Sequence, residues 1–336
     1  MSRLADLVAD APRIAVAGMA KNTGKTRTLV TLLSDLRRRG RTTGVTSIGR
    51  DGEDHDVIDP RIIKPRVRIP PGGLVTTTEP LLRERSVSYE QLFRGGRTPL
   101  GHVVICRLPS GGEVEVAGPS SAAETARVCE AMLDLGADNV LIDGAINRRA
   151  AASPSVADAM VLATGAALHP STEQVVARTA EAVHVFRLPQ APAQPPATRS
   201  SAVLDTGELV ELSRQLTLGQ APHEVEKLFA GPGVRHLVLA GALCEPLVEQ
   251  VGRAARGRRI SLVVQDSTRV FLSERTCSWY QRRNVFITVL HPTRLAAVTI
   301  NPVAPGSHRL DSEDLRRQIS AALPGVPVCD VVNGAG

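Results

Sequence analysis

The chain has 336 residues, 43% of them hydrophobic, and carries a net charge of +6 with an isoelectric point near 9.4. That length exceeds one ordinary domain of roughly 100–200 residues and predicts two packed units, or one large α/β sheet with an appendage. Five Phe, two Tyr and one Trp are too few to stack single-stranded bases, and the scattered arginines trace no groove, so no nucleic-acid partner is expected.

Arg13–Gly18 (RIAVAG) predicts a short buried strand. A polar loop follows, then an amphipathic helix over GKTRTLVTLLSDLRRRG, with Leu29, Val30, Leu33 and Leu36 at helical spacing and Gly40 as its stop. TTGVTSIG predicts a second strand, completing a strand–loop–helix–strand unit that seeds a parallel sheet. Arg61–Leu108 holds short apolar runs broken by Pro and Gly, and EVEVAG at Glu113–Gly118 alternates as an antiparallel partner would. Ser121 with Glu124, and Ser171 with Gln174, form capping-box patterns opening two further helices. NVLIDGA and AMVLATGA read as strands, and VHVFRLP is expected to be the strand that ends the first unit. The Pro/Ala-rich stretch Pro189–Ser201 has the composition of an extended connector. The expected organisation is therefore a nucleotide-binding domain over residues 1–188, a linker over 189–201 and a C-terminal α/β domain over 202–336. In the last, VRHLVLAG, ISLVVQD and LAAVTIN are strand-like, while CEPLVEQVGRAARG and SEDLRRQISAAL are helix-like.

Gly18-Met19-Ala20-Lys21-Asn22-Thr23-Gly24-Lys25-Thr26 lies between the first strand and its helix, where a phosphate loop belongs. Gly24 lets backbone N–H groups approach phosphate oxygens, and the helix N-terminus adds partial positive charge. Lys25 would reach the β- and γ-phosphates of ATP, and the Thr26 hydroxyl would ligate Mg²⁺. The common spacing puts four residues between the two glycines; here Met19 takes the first glycine's place and Gly18 lies one position early. Lys21, Asn22, Thr23 and Arg27 complete the candidate nucleotide-contacting set, Lys21 as a second charge for the phosphates, as a residue reaching across a dimer, or as a solvated loop lysine. Asp143 ends the apolar run Val140-Leu141-Ile142. Its carboxylate would emerge at the carboxyl edge of the sheet as the second Mg²⁺ ligand, unless it serves only a turn with Gly144. The loop after the second strand gathers Arg50, Asp51, Glu53, Asp54 and His55; Asp51, Glu53 or Asp54 would position water or metal and Arg50 would touch phosphate, against a plain polar loop.

The five cysteines are far apart, odd in number and without a C-x-x-C pair, which fits a reducing cytosol better than disulfides or structural zinc. The N-terminus has no signal-peptide pattern and no run approaches ~18 apolar residues, so a soluble, cytoplasmic protein without membrane partners is expected. The histidines are isolated, and no nucleophile elbow or H-E-x-x-H motif occurs. Ser267, Thr268 and Asn301 fall at strand ends, where they would line a second ligand site or serve turns.

In ordered blocks the sequence resembles the Walker-A subunit of the lysine 5,6-aminomutase reactivase family. The blocks are Gly18–Thr26, Gly44–Glu53, Ala131–Arg148, Ala152–Ala166 and Thr299–Pro305; the connector and Arg61–Arg97 lie outside the likeness. The resemblance implies a P-loop NTPase that works beside a MutS-like ATPase partner, as a homo- or hetero-oligomer. Together they restore an adenosylcobalamin-dependent aminomutase by releasing its damaged cofactor at the expense of ATP. It carries over Lys25 and Thr26 as phosphate and Mg²⁺ residues and Asp143 as the Walker-B acid. The expected fold is a doubly wound, mostly parallel α/β P-loop NTPase sheet with a second, smaller α/β unit. Two alternatives stay open: an ATP-dependent ligase or small-molecule kinase of cofactor metabolism, and a non-catalytic nucleotide-binding regulator. The absence of an N-K-x-D guanine motif favours ATP over GTP.

Overall fold

The alternation of apolar runs and amphipathic segments becomes a mixed α/β structure in a computed structural model, which describes residues 4–48, 67–83, 87–145, 150–192, 199–231 and 233–333. It divides into two compact units: Met1–Ala180 with Arg294–Gly336, and Glu181–Thr293. In chain order the first contains β1 (Arg13–Gly18), α1 (Lys25–Arg38), β2 (Thr43–Ser47), β3 (Val67–Ile69), β4 (Leu74–Thr78), α2 (Glu79–Arg83), β5 (Glu90–Thr98), β6 (Gly101–Arg107), β7 (Gly112–Val114), α3 (Ala122–Asp134), β8 (Asn139–Ala145) and β9 (Ala159–Gly165). The unit boundary falls within α4 (Thr172–Phe186). The second unit holds β10 (Ser201–Leu204), β11 (Leu209–Glu211), α5 (Arg214–Thr217), α6 (Pro222–Ala230), β12 (Val234–Leu239), β13 (Leu243–Cys244), α7 (Glu245–Ala255), β14 (Ile260–Val264), β15 (Val270–Phe271), α8 (Cys277–Gln281) and β16 (Val285–Val289). The chain then returns to the first unit with β17 (Leu295–Asn301), α9 (Ser312–Ala322) and β18 (Val328–Asp330).

The large sheet of the first unit has nine strands in the order β18-β17-β9-β1-β8-β2-β4-β6-β5. Pairing is parallel from β18 through β4, and β6 and β5 close the edge as antiparallel strands. β9 is buried along its whole length and β1 along all but its first residue, as continuous apolar runs in a parallel sheet require. Val16 sits opposite Asp143 on one side and Val161 on the other. Of the EVEVAG segment only Glu113 and Val114 pair antiparallel, as part of β7 with β3 in a small sheet of its own, and residues 115–118 are not strand. On α1 the core-facing residues are Leu29, Leu32, Leu33 and Leu36, whereas Val30 is 45% exposed. The i, i+3, i+4, i+7 spacing of the four leucines makes one stripe, and position 30 falls off it.

Three expectations need correction. VHVFRLP is not a strand: α4 runs on to Phe186, with Val183 and Phe186 buried one turn apart. Residues 202–336 are not one domain, because β17 pairs with β9 and β18 with β17, placing the last segment in the first unit's sheet. Nor is 189–201 wholly a connector. Val289 donates its N–H to the Pro189 carbonyl (3.0 Å) and accepts from the Ala191 N–H (2.7 Å), while Ser201 opens β10; residues 193–198 lie outside the described residues.

The second unit packs α6, α7 and α8 with a five-stranded sheet ordered β11-β10-β12-β14-β16, of which β12, β14 and β16 run parallel. Glu245, at the start of α7, is densely hydrogen-bonded. The carboxylate accepts from the backbone N–H groups of Ser273, Glu274 and Arg275 and from the Ser273 hydroxyl, each at 2.7 Å, and from the Tyr280 hydroxyl at 3.1 Å. Burial alone would raise its pKa, but these donors outweigh it and hold the carboxyl at about 2. Ser267 and Thr268 serve a turn: Asp266 accepts from the Thr268 N–H at 2.8 Å, and the Ser267 hydroxyl bonds that of Thr293 at 2.8 Å. Among the described residues no helix is long and apolar enough to cross a membrane.

Two outcomes follow. Limited trypsin should cut after Arg199, whose side chain is 77% exposed. The two pieces should nonetheless co-elute in size-exclusion chromatography, since residues 294–336 remain paired with β9; separation into independent fragments would contradict the shared sheet. A depressed folded pKa makes the Glu245 contribution complete above the unfolded value near 4.5 and lost as pH falls toward 2. Glu245→Gln should therefore destabilise the second unit by about 2–3 kcal/mol at pH 7 and close most of that gap at pH 2, read by unfolding titrations.

Candidate phosphate-binding site

The site grows from the carboxyl end of β1. Gly18 ends the strand, and the Met19 N–H donates to the Ala163 carbonyl of β9 at 2.9 Å, fixing the point where the chain leaves the sheet. A Cβ at Gly18 would meet the Thr23 hydroxyl at 3.0 Å and the Lys25 Cβ at 3.2 Å. The tight approach thus falls on Gly18, the glycine that lies one position early against the common spacing. Thr23 is buried and donates its hydroxyl to the Ala20 carbonyl at 2.9 Å. Asn22 (φ 62°) and Gly24 (φ 97°) flank it in the left-handed region and fold the loop back over the helix start.

Helix α1 opens without a cap. Gly24 is its N-cap residue, supplies no side-chain hydrogen bond, and the first turn holds no acid. Its first three residues are Lys25, Thr26 and Arg27, and the Thr28 N–H is the first to find a helical acceptor, the Gly24 carbonyl at 2.9 Å. The preceding N–H groups have no partner within the helix. Side-chain oxygens of Ser121, Ser213, Thr276 and Asp311 cap α3, α5, α8 and α9, whereas α6 and α7, also without a side-chain cap, begin with a Pro in the first two positions and an acid in the first turn. Cations at the positive end of a helix dipole are unfavourable by a few tenths to about 1 kcal/mol each, and an anion there reverses the sign.

Asp143 of β8 stands next to this helix start. Lys25 Nζ lies 3.1 Å from Asp143 Oδ1, the side chains being 17% and 19% exposed. Ser47, at the end of β2, is in register with Asp143 on the other side. Gly118 crosses over it, since a Cβ there would fall 1.8 Å from the Ser47 carbonyl oxygen. From the opposite direction β17 reaches α1: the Thr28 and Thr299 hydroxyls are 2.7 Å apart and buried. Asn301 donates from Nδ2 to the Asn22 carbonyl at 3.0 Å.

The structure therefore gathers Gly18, Asn22, Thr23, Gly24, Lys25, Thr26 and Asp143 at one sheet edge. Lys21 and Arg27 are exposed on the same loop and first turn. Asp51 and Glu53, with Arg50, Asp54 and His55, lie outside the described residues. No cluster of His, Cys, Asp or Glu with the makings of a metal site occurs among the described residues. The carboxylate of Asp143 and the hydroxyl of Thr26 are hard oxygen donors, the chemistry that suits Mg²⁺ supplemented by water and phosphate oxygens. Asn301 is the residue whose role sequence reasoning left open; its place at the end of a strand entering the same sheet edge was the available signal.

Gly24→Ala measures how tightly this edge is packed. An alanine Cβ at position 24 would come 2.8 Å from the Asn301 Cβ, whereas Gly136 has a matching φ of +96° with open space around it. Both substitutions should destabilise by about 1–2 kcal/mol for the left-handed backbone. Gly24→Ala should exceed Gly136→Ala by a further 1 kcal/mol or so in denaturant unfolding, from overpacking; equal losses would mean the loop and β17 are not in contact.

Compared with known proteins, the chain matches no family model, no curated protein and no solved structure.

Proposed function

We propose that the protein binds and hydrolyses Mg·ATP at the β1–α1 junction, as a P-loop NTPase built on a doubly wound sheet. By the resemblance of Gly18–Thr26, Gly44–Glu53 and the later blocks, we further propose that it couples this cycle to reactivation of an adenosylcobalamin-dependent aminomutase, lysine 5,6-aminomutase being the first candidate. It would act beside a MutS-like ATPase partner in the cytoplasm, where ATP is supplied and where five free cysteines persist reduced. The observation that carries the nucleotide reading is the uncapped, basic start of α1 behind the left-handed Gly24, with Lys25 against Asp143. A phosphate chain accepts from N–H groups that have no acceptor within the helix, offsets the charges of Lys25 and Arg27, and favours the positive end of the helix dipole, three demands met by one ligand.

Lys25 neutralises phosphate oxygens, and the N–H groups of the loop and first turn orient them. Asp143 and Thr26 would hold the Mg²⁺, which when bound supplies neutralisation of phosphate charge. Asp143 also holds Lys25 by its ion pair, so phosphate and carboxylate compete for the same ammonium group. Loop order near the phosphates that changes with nucleotide state would serve to open a partner enzyme.

Lys25→Ala should abolish nucleotide binding with the fold retained; wild-type affinity by calorimetry would overturn the phosphate-loop reading. Asp143→Asn should bind ATP more tightly than wild type in EDTA, since the competing carboxylate is gone. With Mg²⁺ it should bind more weakly and lose hydrolysis by orders of magnitude. For the client, an inactivated aminomutase from the same organism is mixed with this protein, the MutS-like partner, Mg·ATP and fresh cofactor. Recovery should require ATP and fail with Lys25→Ala. Turnover that depends instead on a small co-substrate would assign a ligase or kinase, and binding without turnover in either assay a regulator.

A further inference from the structure

We infer that Asn301 is a positioning residue for the phosphate loop, acting on the phosphates through the Asn22 peptide rather than by touching the nucleotide base; the inference rests on the nucleotide reading above. Its carboxamide bridges two backbone groups of fixed polarity. Oδ1 accepts from the Val303 N–H at 3.1 Å, and Nδ2 donates to the Asn22 carbonyl at 3.0 Å. An N–H can only donate and a carbonyl can only accept, so these partners alone set which way the amide faces. One N–H and one oxygen lone pair remain, so a ligand with no base decides whether the amide also reads the base.

The anchor is rigid. Asn301 ends β17 in register with Gly165, its carbonyl accepts from the Ala166 N–H at 2.9 Å, and a Cβ at Gly165 would fall 2.0 Å from that carbonyl oxygen. Its own Cβ packs against Gly24, where no side chain fits. What it anchors is a left-handed residue, Asn22, one position before the buried Thr23. The peptide joining them is planar and trans, so its C=O and N–H point in opposite directions. Holding the Asn22 oxygen therefore fixes the direction of the Thr23 N–H. It also holds the turn that leads through Gly24 into the first turn of α1. Without the amide this peptide plane can swing, and the loop must be ordered again each time a phosphate chain arrives.

The test is calorimetric, on the full-length chain, with ATP and inorganic tripolyphosphate as separate ligands. Asn301→Ala should weaken both by the same factor, about fivefold to tenfold, the size of one net hydrogen bond. The melting temperature of the free protein should fall by no more than about 2–4 °C. Asn301→Asp keeps the shape and the bond from Val303 but cannot donate to Asn22. In 0.5 M salt, which screens its added charge over a few ångström, it should weaken both ligands as Ala does. A role confined to the Val303 turn would leave Asp at wild-type affinity and overturn the inference, as would unchanged affinity in both variants. Loss for ATP with tripolyphosphate unaffected would also overturn it, by assigning Asn301 to the base. Lys25→Ala runs in parallel: if it abolishes binding while the Asn301 variants bind normally, this inference alone fails; if it binds as wild type, the nucleotide reading fails and this inference with it.

Discussion

A helix that begins on Lys25, Thr26 and Arg27 with no capping side chain is electrostatically unfavourable by itself, and its surroundings compensate for it. Asp143 approaches from β8 and takes up the Lys25 charge. Thr299 approaches from β17 and shares a buried hydroxyl contact with Thr28. The loop that leads in is held by Met19 to β9 and by Asn22 to β17. The contacts come from three strands, β8, β9 and β17, and all lie toward the carboxyl ends of parallel strands, the edge where open α/β sheets bind ligands. Neighbouring strands thus hold a helix start to which Gly24 supplies no side-chain cap, the geometry that the proposed phosphate site needs.

Much of this was legible because it is local. The β1 strand, the loop glycines, the α1 helix and the Ser121 and Ser171 caps each declare themselves within a few residues, through periodicity or through hydrogen bonds that span three positions. Asp143 was legible for the same reason, as the first polar residue after an apolar run. Even the irregular spacing of the motif has a local explanation, the packing of Gly18 against Thr23 and Lys25.

What sequence reasoning missed depends on pairing between distant segments. LAAVTIN was recognised as a strand, but nothing in its composition tells whether it joins the sheet next to it in the chain or one begun nearly three hundred residues earlier. The same limit explains α4. Its final turn carries Val183, Val185 and Phe186, residues of high strand propensity, and only burial of Val183 and Phe186 on one helical face overrides that preference. Val30 is the converse case, an apolar residue that fits a rough helical count yet points away from the core. Asn301 belongs to this group too: its partner Asn22 is 279 positions away.

That separation bears on how the protein is made. Ribosomes deliver roughly 5–20 residues per second, and the strand that covers the outer edge of β9 emerges only after all of Glu181–Thr293. For several seconds or more the nascent chain carries β1, β8 and β9 with one flank of the sheet unpaired, while the second unit is being completed. Exposed strand edges invite intermolecular pairing, so this interval is the one in which holdase chaperones matter most. It also means that the loop around Asn22 acquires its anchor last, once synthesis is nearly finished. A truncated product that stops short of β17 therefore contains the entire glycine-rich motif and still lacks the contact that shapes it.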